Sequence, residues 1–536
     1  MRDLKELAGY DIITEEKIPE VNGTGYILSH KKTKARVLVI ANDDENKVFN
    51  IGFRTPPYDD SGIPHILEHS VLCGSRKYPV KDPFVELAKG SLNTFLNAMT
   101  YSDKTVYPIA SCNEKDFENL MDVYLDAVFY PNIYEHTEIM RQEGWHYELE
   151  TVEGELIYNG VVFNEMKGAF SSPEQQMYSK IEKLLLADTP YKNESGGDPA
   201  AIPTLSQERF LDFHRKYYHP SNSYIYLYGD LDMYKELDYI DKEYLSSFDY
   251  REIDSTIAVQ TAYEQMKDES CFYSIAENES EENQTFLTYN MVVGSSLDKK
   301  QSVAMNILEY AIMDAPGAPL KKALVDAGIG EDVFASFDDG IRQTIFSIVA
   351  RNANMSDKER FVSVIRDTLT DLSGHGEEGK AIDRTSIEAA INNFEFKHKE
   401  ANFGRFPKGL MMGLDAFNTW LYDDASALEM FKLNEVYDEL KESLKTGYFE
   451  ELIWEKLVQN TFGMIFVMKP KKGLDKENDA AEKQKLADYK ASLTENELEQ
   501  VVSDTKELKL YQETPSPAED MEKVPLLNIS DIRKEI

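Results

Sequence analysis

The residues best suited to chemistry are His65, Glu68 and His69, which lie within five positions of the sequence. Residues four apart on a helix lie one turn above each other, so both imidazoles can point at one metal ion. Glu68 would lie beside that ion, close enough to take a proton from water. With 9 histidines among 536 residues, a chance occurrence of this order is expected about 0.03 times. The pattern therefore predicts a zinc site rather than a helix with two surface histidines.

A zinc ion bound by two histidines typically takes a third protein ligand and keeps a fourth position for water. Spacing alone does not select that ligand. The candidates are the glutamates and histidines further along the chain, namely Glu135, Glu138, Glu143, Glu148, Glu165, His146 and His214. Most glutamates on helices face solvent. Glu165 is favoured because the apolar run 161–163 and Met166 would hold its helix rigidly against a core.

Helices and short strands must position these residues. Apolar residues recur at 63, 66, 67 and 71, and Pro64 fits a first helical turn, so a helix is predicted from 63 to 72. Further helices are predicted over 114–128 and 161–170. Short apolar runs predict strands at 37–40, 48–53, 224–229, 286–293 and 463–468. This mixture predicts an α+β fold.

The segment 66–71 recurs faintly at 307–312, where a strand and a polar loop again precede it. Both segments would be helices that cross one face of a sheet. The second copy has Asn306 and Tyr310 where the first has its two histidines. The pattern therefore indicates a duplication in which the second copy has lost the metal ligands.

The composition changes after residue 468. Residues 469–510 are rich in Lys, Glu, Ala and Leu, which is typical of long helices. Thr494 and Glu497 have the spacing of a capping box at the start of a second helix. We therefore predict a helical hairpin. Three prolines then punctuate an extended tail, which resembles a connector cut short.

Charge and cysteine content limit the compartment and the partners. Acidic residues outnumber basic ones, 96 to 58, and the formal net charge is −38, which argues against a nucleic-acid or anionic-membrane surface. A basic peptide partner remains open. Cys73, Cys112 and Cys271 are too few and scattered for a disulfide scaffold. With no visible leader or long apolar run, we expect a cytoplasmic protein.

Three segments, His65–Ser75, Ser91–Ala98 and Gly160–Gly168, together resemble the presequence-protease branch of the pitrilysin/insulinase (M16) metallopeptidases. Further matches lie at Ser195–Pro199, His219–Asn222, Pro407–Leu410, Glu482–Leu486 and Leu508–Pro515. The resemblance therefore covers essentially the whole chain.

The resemblance implies a role for each residue of the zinc motif. His65, His69 and Glu165 would bind Zn²⁺, one ion per chain, and Glu68 would be the general base. The sequence separation between His69 and Glu165 suits this branch rather than the insulin-degrading relatives.

The resemblance also implies a substrate site. Asn97 and Ala98 match the edge strand on which the family docks a substrate backbone by β-augmentation. Leu72, Phe84 and Val85 fall where the family builds an apolar pocket for a substrate side chain. Each of these three residues is equally compatible with an ordinary core position.

The fold that the resemblance implies is α+β, with two homologous α/β-sandwich domains of the M16 metallohydrolase type followed by a helical hairpin linker. We expect a zinc-binding catalytic domain at 1–254 and a second domain without metal ligands at 255–468. The hairpin linker would occupy 469–536 and be truncated before a second half.

The expected function is that of the N-terminal half of a zinc metalloendopeptidase that hydrolyses short, unfolded peptides. Members of this branch are about twice as long, and their second half adds an arginine and a tyrosine that help to bind the substrate. The alternative is an inactive peptide-binding half that needs this partner for turnover. A structural subunit without zinc is a third hypothesis.

Overall fold

The computed structural model describes residues 2–377 and 379–532. The strands in chain order are β1 (Tyr10–Ile18), β2 (Gly23–His30), β3 (Arg36–Ala41), β4 (Lys47–Arg54), β5 (Asn93–Leu96), β6 (Met99–Thr100), β7 (Lys104–Ser111), β8 (His146–Glu148), β9 (Ile157–Asn159), β10 (Ser223–Gly229), β11 (Lys267–Ile275), β12 (Thr285–Ser295), β13 (Asp332–Asp338), β14 (Gln343–Ala353) and β15 (Gly463–Lys472).

The α-helices in chain order are α1 (Ile63–Val71), α2 (Pro83–Gly90), α3 (Glu114–Phe129), α4 (Glu138–Glu143), α5 (Val161–Ala169), α6 (Pro173–Leu185), α7 (Gln207–Tyr217), α8 (Met233–Glu243), α9 (Lys299–Glu309), α10 (Pro319–Asp326), α11 (Lys358–Leu372), α12 (Arg384–Glu400), α13 (Lys408–Trp420), α14 (Asn434–Ser443), α15 (Tyr448–Ile453), α16 (Leu474–Ser492), α17 (Glu495–Glu513) and α18 (Ala518–Met521). The helices predicted around the motif are confirmed as α1, α3 and α5. None of the described helices is both long and apolar enough to cross a membrane.

Two sheets share one strand order. The first runs β1-β2-β3-β10-β4-β7-β5, with β6 also paired to β7, and the second runs β11-β15-β12-β14-β13. In each sheet one parallel pair, β3 with β10 and β11 with β15, is followed by antiparallel pairs. The two helices of the sequence repeat, α1 and α9, follow the equivalent strands β4 and β12. The duplication indicated by the sequence is therefore present in the topology.

Each sheet is covered on one face by a helix from the other side of the predicted division at residue 254. Helix α13 packs Phe417 and Trp420 against Tyr224 and Tyr226 of the first sheet. Helix α6 in turn lies on the second sheet, in a core shared with β15. Chain order therefore does not describe the packing, because the two units exchange helices. The division itself stays a prediction.

The predicted helical hairpin is confirmed as α16 and α17. Thr494 and Glu497 form the expected capping box, with hydrogen bonds in both directions. The hairpin packs Leu486 and Val502 against residues of the β8–β9 hairpin region, Leu149 and Leu156. The tail that follows also contacts the first unit, since Asn119 donates a hydrogen bond to the Pro525 carbonyl at 3.0 Å.

Close packing of α13 on the first sheet leads to a prediction for Gly413. A Cβ atom there would lie 2.2 Å from Cε1 of the buried Tyr226 ring. We expect Gly413→Ala to lower the free energy of unfolding by roughly 1–3 kcal/mol, although alanine favours helices over glycine. The control Gly168→Ala in α5 meets nothing within 4 Å and should be neutral or stabilise by up to about 1 kcal/mol. Denaturant unfolding measures both; equal effects would contradict the close approach.

Candidate metal centre

Helix α1 holds the first two candidate ligands. Its apolar residues Ile66, Leu67 and Val71 are fully buried in the core of the first unit. This fixes the rotation of the helix about its axis, because those three side chains must face the sheet. His65 and His69 consequently lie at the edge of the core, with their ring centroids 5.0 Å apart.

The third candidate ligand, Glu165, comes from α5. Val162, Phe163 and Met166 are buried, as the sequence analysis expected. Gly160 precedes the helix with a φ of 153°, and a Cβ atom there would lie 2.3 Å from the Gly144 carbonyl oxygen. Glycine is therefore needed at 160, because it lets the start of α5 approach the end of α4.

The ligand atoms of His65, His69 and Glu165 all lie within 4.8 Å of one another, the only such group found among the described residues. Glu165 Oε2 lies 3.7 Å from His65 Nε2 and 3.6 Å from His69 Nε2. Tetrahedral zinc with bonds of about 2.0–2.1 Å sets neighbouring ligand atoms roughly 3.3 Å apart. The donor set and its spacing therefore fit zinc with only a small contraction.

The other ring nitrogen of each histidine has a partner. His65 Nδ1 donates to the Gly196 carbonyl at 3.0 Å, and His69 Nδ1 lies 3.3 Å from Glu143 Oε2. A carbonyl or carboxylate partner holds the proton on Nδ1, which leaves Nε2 with a lone pair for a metal. Both Nε2 atoms are the ones that face Glu165.

Glu143 was one candidate for the third ligand, but it lies behind His69. Burial by itself raises the pKa of Glu143, but hydrogen bonds from His69 and Gln142 outweigh it, so the pKa lies below its ordinary value. The carboxylate is thus held in its charged form beside the imidazole. The sequence analysis missed this orienting role, because a glutamate on a helix looks the same in either position.

The remaining candidates have other partners. His214 lies between the Tyr134 hydroxyl and the Val128 carbonyl, and His146 Nδ1 donates to the Arg141 carbonyl. Glu148 lies on a strand rather than a helix and pairs with Lys509. Glu135 and Glu138 are also outside the group of three ligands.

Glu68 lies on the exposed side of α1, between the two histidines. Thr100 of β6 donates a hydrogen bond to Glu68 Oε2 at 2.6 Å. The carboxylate opens into a cavity of about 410 Å³, which His69, Leu72 and Phe84 also line. Thr100 is a second residue that the sequence analysis missed, since nothing in its spacing links it to the motif.

Four of the five predicted substrate residues line this cavity. They are Leu72, Phe84, Asn97 and Ala98, whereas Val85 is not part of the wall and is 39% exposed. Asn97 and Ala98 were expected within an edge strand. That expectation was wrong in detail, because β5 ends at Leu96 and the two residues lie in the gap before β6. The edge position of β5 itself is observed.

Comparison with family models covers most of the chain. The model "Insulinase (Peptidase family M16)" matches residues 48–179, and "Peptidase M16 inactive domain" matches 204–394. A third model, which describes the segment associated with the C branch of the M16 peptidases, matches 468–536. The first of these matches contains the His65–His69 motif and Glu165.

Curated relatives align over nearly the whole chain. Protein HypA of Clostridium perfringens is 48% identical over 528 residues, 98% of this chain and 54% of HypA. Presequence protease 1, chloroplastic/mitochondrial, of Arabidopsis thaliana is 41% identical over 542 residues, 100% of this chain and 50% of that protein. The chain therefore spans about half the length of the curated relatives it matches.

Solved structures support the fold. Pitrilysin matches with a TM-score of 0.58 at 18% identity, over 87% of this chain and 47% of pitrilysin. A protease from Helicobacter pylori matches with a TM-score of 0.61 at 16% identity, over 84% of this chain and 100% of that one. Together with the family models and relatives, these matches show that the chain belongs to the M16 peptidase family, in the branch of the presequence proteases.

Proposed function

We propose that this chain is the N-terminal half of a zinc metalloendopeptidase that hydrolyses short, unfolded peptides. The observation that carries the proposal is the convergence of His65 Nε2, His69 Nε2 and Glu165 Oε2 beside Glu68. A cavity of about 410 Å³ adjoins Glu68 and provides space for substrate. We propose one Zn²⁺ per chain, held by those three residues.

When bound there, zinc would supply Lewis-acid chemistry, polarising a carbonyl and making water a usable nucleophile near neutral pH. Glu68 supplies the proton transfers. Thr100 occupies Oε2, so we assign Oε1 to accept the proton of the attacking water. The protonated carboxyl then donates to the leaving amine. The residues after edge strand β5 hold the peptide backbone extended along the cavity.

A C-terminal half of the same protein is the proposed partner, since the curated relatives are about twice as long. That half would complete the substrate site and stabilise charge in the transition state, an effect often worth about 3–4 kcal/mol per donor. The same length ratio favours the second candidate function, a peptide-binding half without turnover on its own. Cleavage of a quenched peptide by this chain, with and without the C-terminal half, distinguishes the two.

The roles of Glu68 and His69 predict different outcomes. Glu68→Gln should keep zinc, because the residue is not a ligand, but lower the cleavage rate by roughly 10²–10⁴-fold. His69→Ala should lose both zinc and cleavage. Atomic absorption after gel filtration measures the metal, and a quenched peptide measures cleavage. Undiminished cleavage by Glu68→Gln would refute its assignment, and a wild-type chain without zinc would favour a structural subunit.

The contact between Glu143 and His69 predicts an effect on zinc affinity. Glu143→Gln keeps the size of the side chain but removes the charge that orients the imidazole, so the affinity should fall by roughly 10–100-fold. Competition with a chromophoric chelator measures it. Glu135→Gln serves as the control, because Glu135 is exposed and outside the ligand group. Equal affinities for the two variants would rule out the orienting role.

Acidic residues near the site predict a preference for basic peptides. Glu182, Glu194 and Asp338 line a second cavity of about 380 Å³ between the two units. Burial and the charge of Asp338 raise the pKa of Glu182 to about 8, so a cationic group there would relieve repulsion. Basic peptides should bind more tightly than acidic ones of equal length, and salt should reduce the difference. Fluorescence anisotropy measures it; equal binding at low salt would contradict the preference.

A further inference from the structure

The end of the hairpin forms part of the cavity beside Glu68. Gln512, in the last turn of α17, lines the cavity together with Phe84 and Leu72. The other residues of the cavity wall lie between positions 68 and 143, so a segment more than three hundred positions further along the chain completes it. Gln512 is exposed, and its amide can therefore donate to or accept from a molecule in the cavity.

Lys81 attaches this helix end to the first unit. Its ammonium donates to the Tyr511 carbonyl and, at 2.5 Å, to the Thr514 carbonyl. Its backbone N–H donates to Ser516 Oγ at 3.0 Å, and its ammonium lies 4.2 Å from the centre of the Tyr511 ring. The last carbonyls of a helix have no donor within the helix. Since α17 has no basic residue in its own last turn, Lys81 supplies the missing positive charge.

The same residue lies next to the substrate wall. Asp82, which follows Lys81, caps α2 by accepting a hydrogen bond from the Val85 N–H at 2.9 Å. Helix α2 carries Phe84 into the cavity. Lys81 therefore connects the two elements that face each other across the cavity, the start of α2 and the end of α17.

The body of α17 is attached independently. Arg141 donates to the Asp504 carbonyl at 3.0 Å, and Thr505 Oγ1 accepts from the Leu149 N–H at 3.0 Å. Lys509 pairs with Glu150 at 2.8 Å. Loss of the Lys81 contacts should therefore loosen the last turn of α17 without releasing the helix.

We propose that Gln512 determines specificity by hydrogen-bonding the polar end of a substrate side chain in this cavity, and that Lys81 is the positioning residue that holds it there. The inference rests on the proposed peptidase function and deepens it. The apolar walls, Leu72, Phe84 and Ala98, contact the stem of that side chain. A site of this kind favours a side chain such as tyrosine over phenylalanine, because its buried polar group is otherwise left unpaired.

The test compares two fluorescent peptides that differ only in one tyrosine or phenylalanine. They bind to zinc-loaded protein carrying Glu68→Gln, which prevents turnover. We expect the tyrosine peptide to bind roughly two- to tenfold more tightly, the effect of one net hydrogen bond. Adding Gln512→Leu should bring the ratio to about one. Gln500→Leu is the matched control, on the exposed side of the same helix, and should leave the ratio unchanged.

Lys81→Met keeps the aliphatic stem and removes the ammonium. We expect the peptide ratio to fall and amide hydrogen exchange to accelerate in residues 510–516 but not in 495–505, with Lys81→Arg restoring both. An unchanged ratio in Gln512→Leu, or unchanged exchange in Lys81→Met, would overturn the inference while peptide binding persists. Absence of binding by the parent protein would instead overturn the proposed function, and this inference with it.

Discussion

The candidate site depends on the burial of one helix face. Ile66 and Leu67 are fully buried, and each such side chain contributes about 1.5–3 kcal/mol of hydrophobic stabilisation. Rotating α1 would expose them and push histidines into the core, so the rotation of the helix is fixed by packing. The same packing leaves His65, Glu68 and His69 at the edge of the core, where the imidazoles face Glu165 and the carboxylate faces the cavity. Apolar residues thus set the geometry of polar ones.

Local patterns were predictable, and contacts between elements were not. Periodicity and caps located α1, α3, α5 and the hairpin, because these signals lie within one element. The choice between Glu165 and Glu143 is different, since both are glutamates on helices with apolar neighbours. Gly160 brings α5 against the end of α4, so the two carboxylates reach the site from different sides. That arrangement exists only in three dimensions, and the same holds for the bond from Thr100.

The exchange of helices shows a similar limit. An amphipathic pattern indicates that one face of a helix is apolar, but it does not say which sheet will cover that face. The glycines of α13, Gly409 and Gly413, lie where Cβ atoms would meet the rings of Tyr228 and Tyr226. They allow a helix from beyond the second repeat to approach the first sheet. The rigidity of the site therefore draws on packing from both repeats, although its polar residues come from one.

The second repeat separates the requirements of the fold from those of metal binding. Ile307 and Leu308 are as buried as Ile66 and Leu67, so α9 keeps the packing that fixes α1. Asn306, at the position of His65, instead donates a hydrogen bond to Asp339 at 3.0 Å. Tyr310 packs against the ring of Phe394. The scaffold needs only the apolar positions. The metal centre additionally needs Gly196 and Glu143 to orient its imidazoles and Glu165 to face them, so the five-residue motif is necessary but not sufficient for the site.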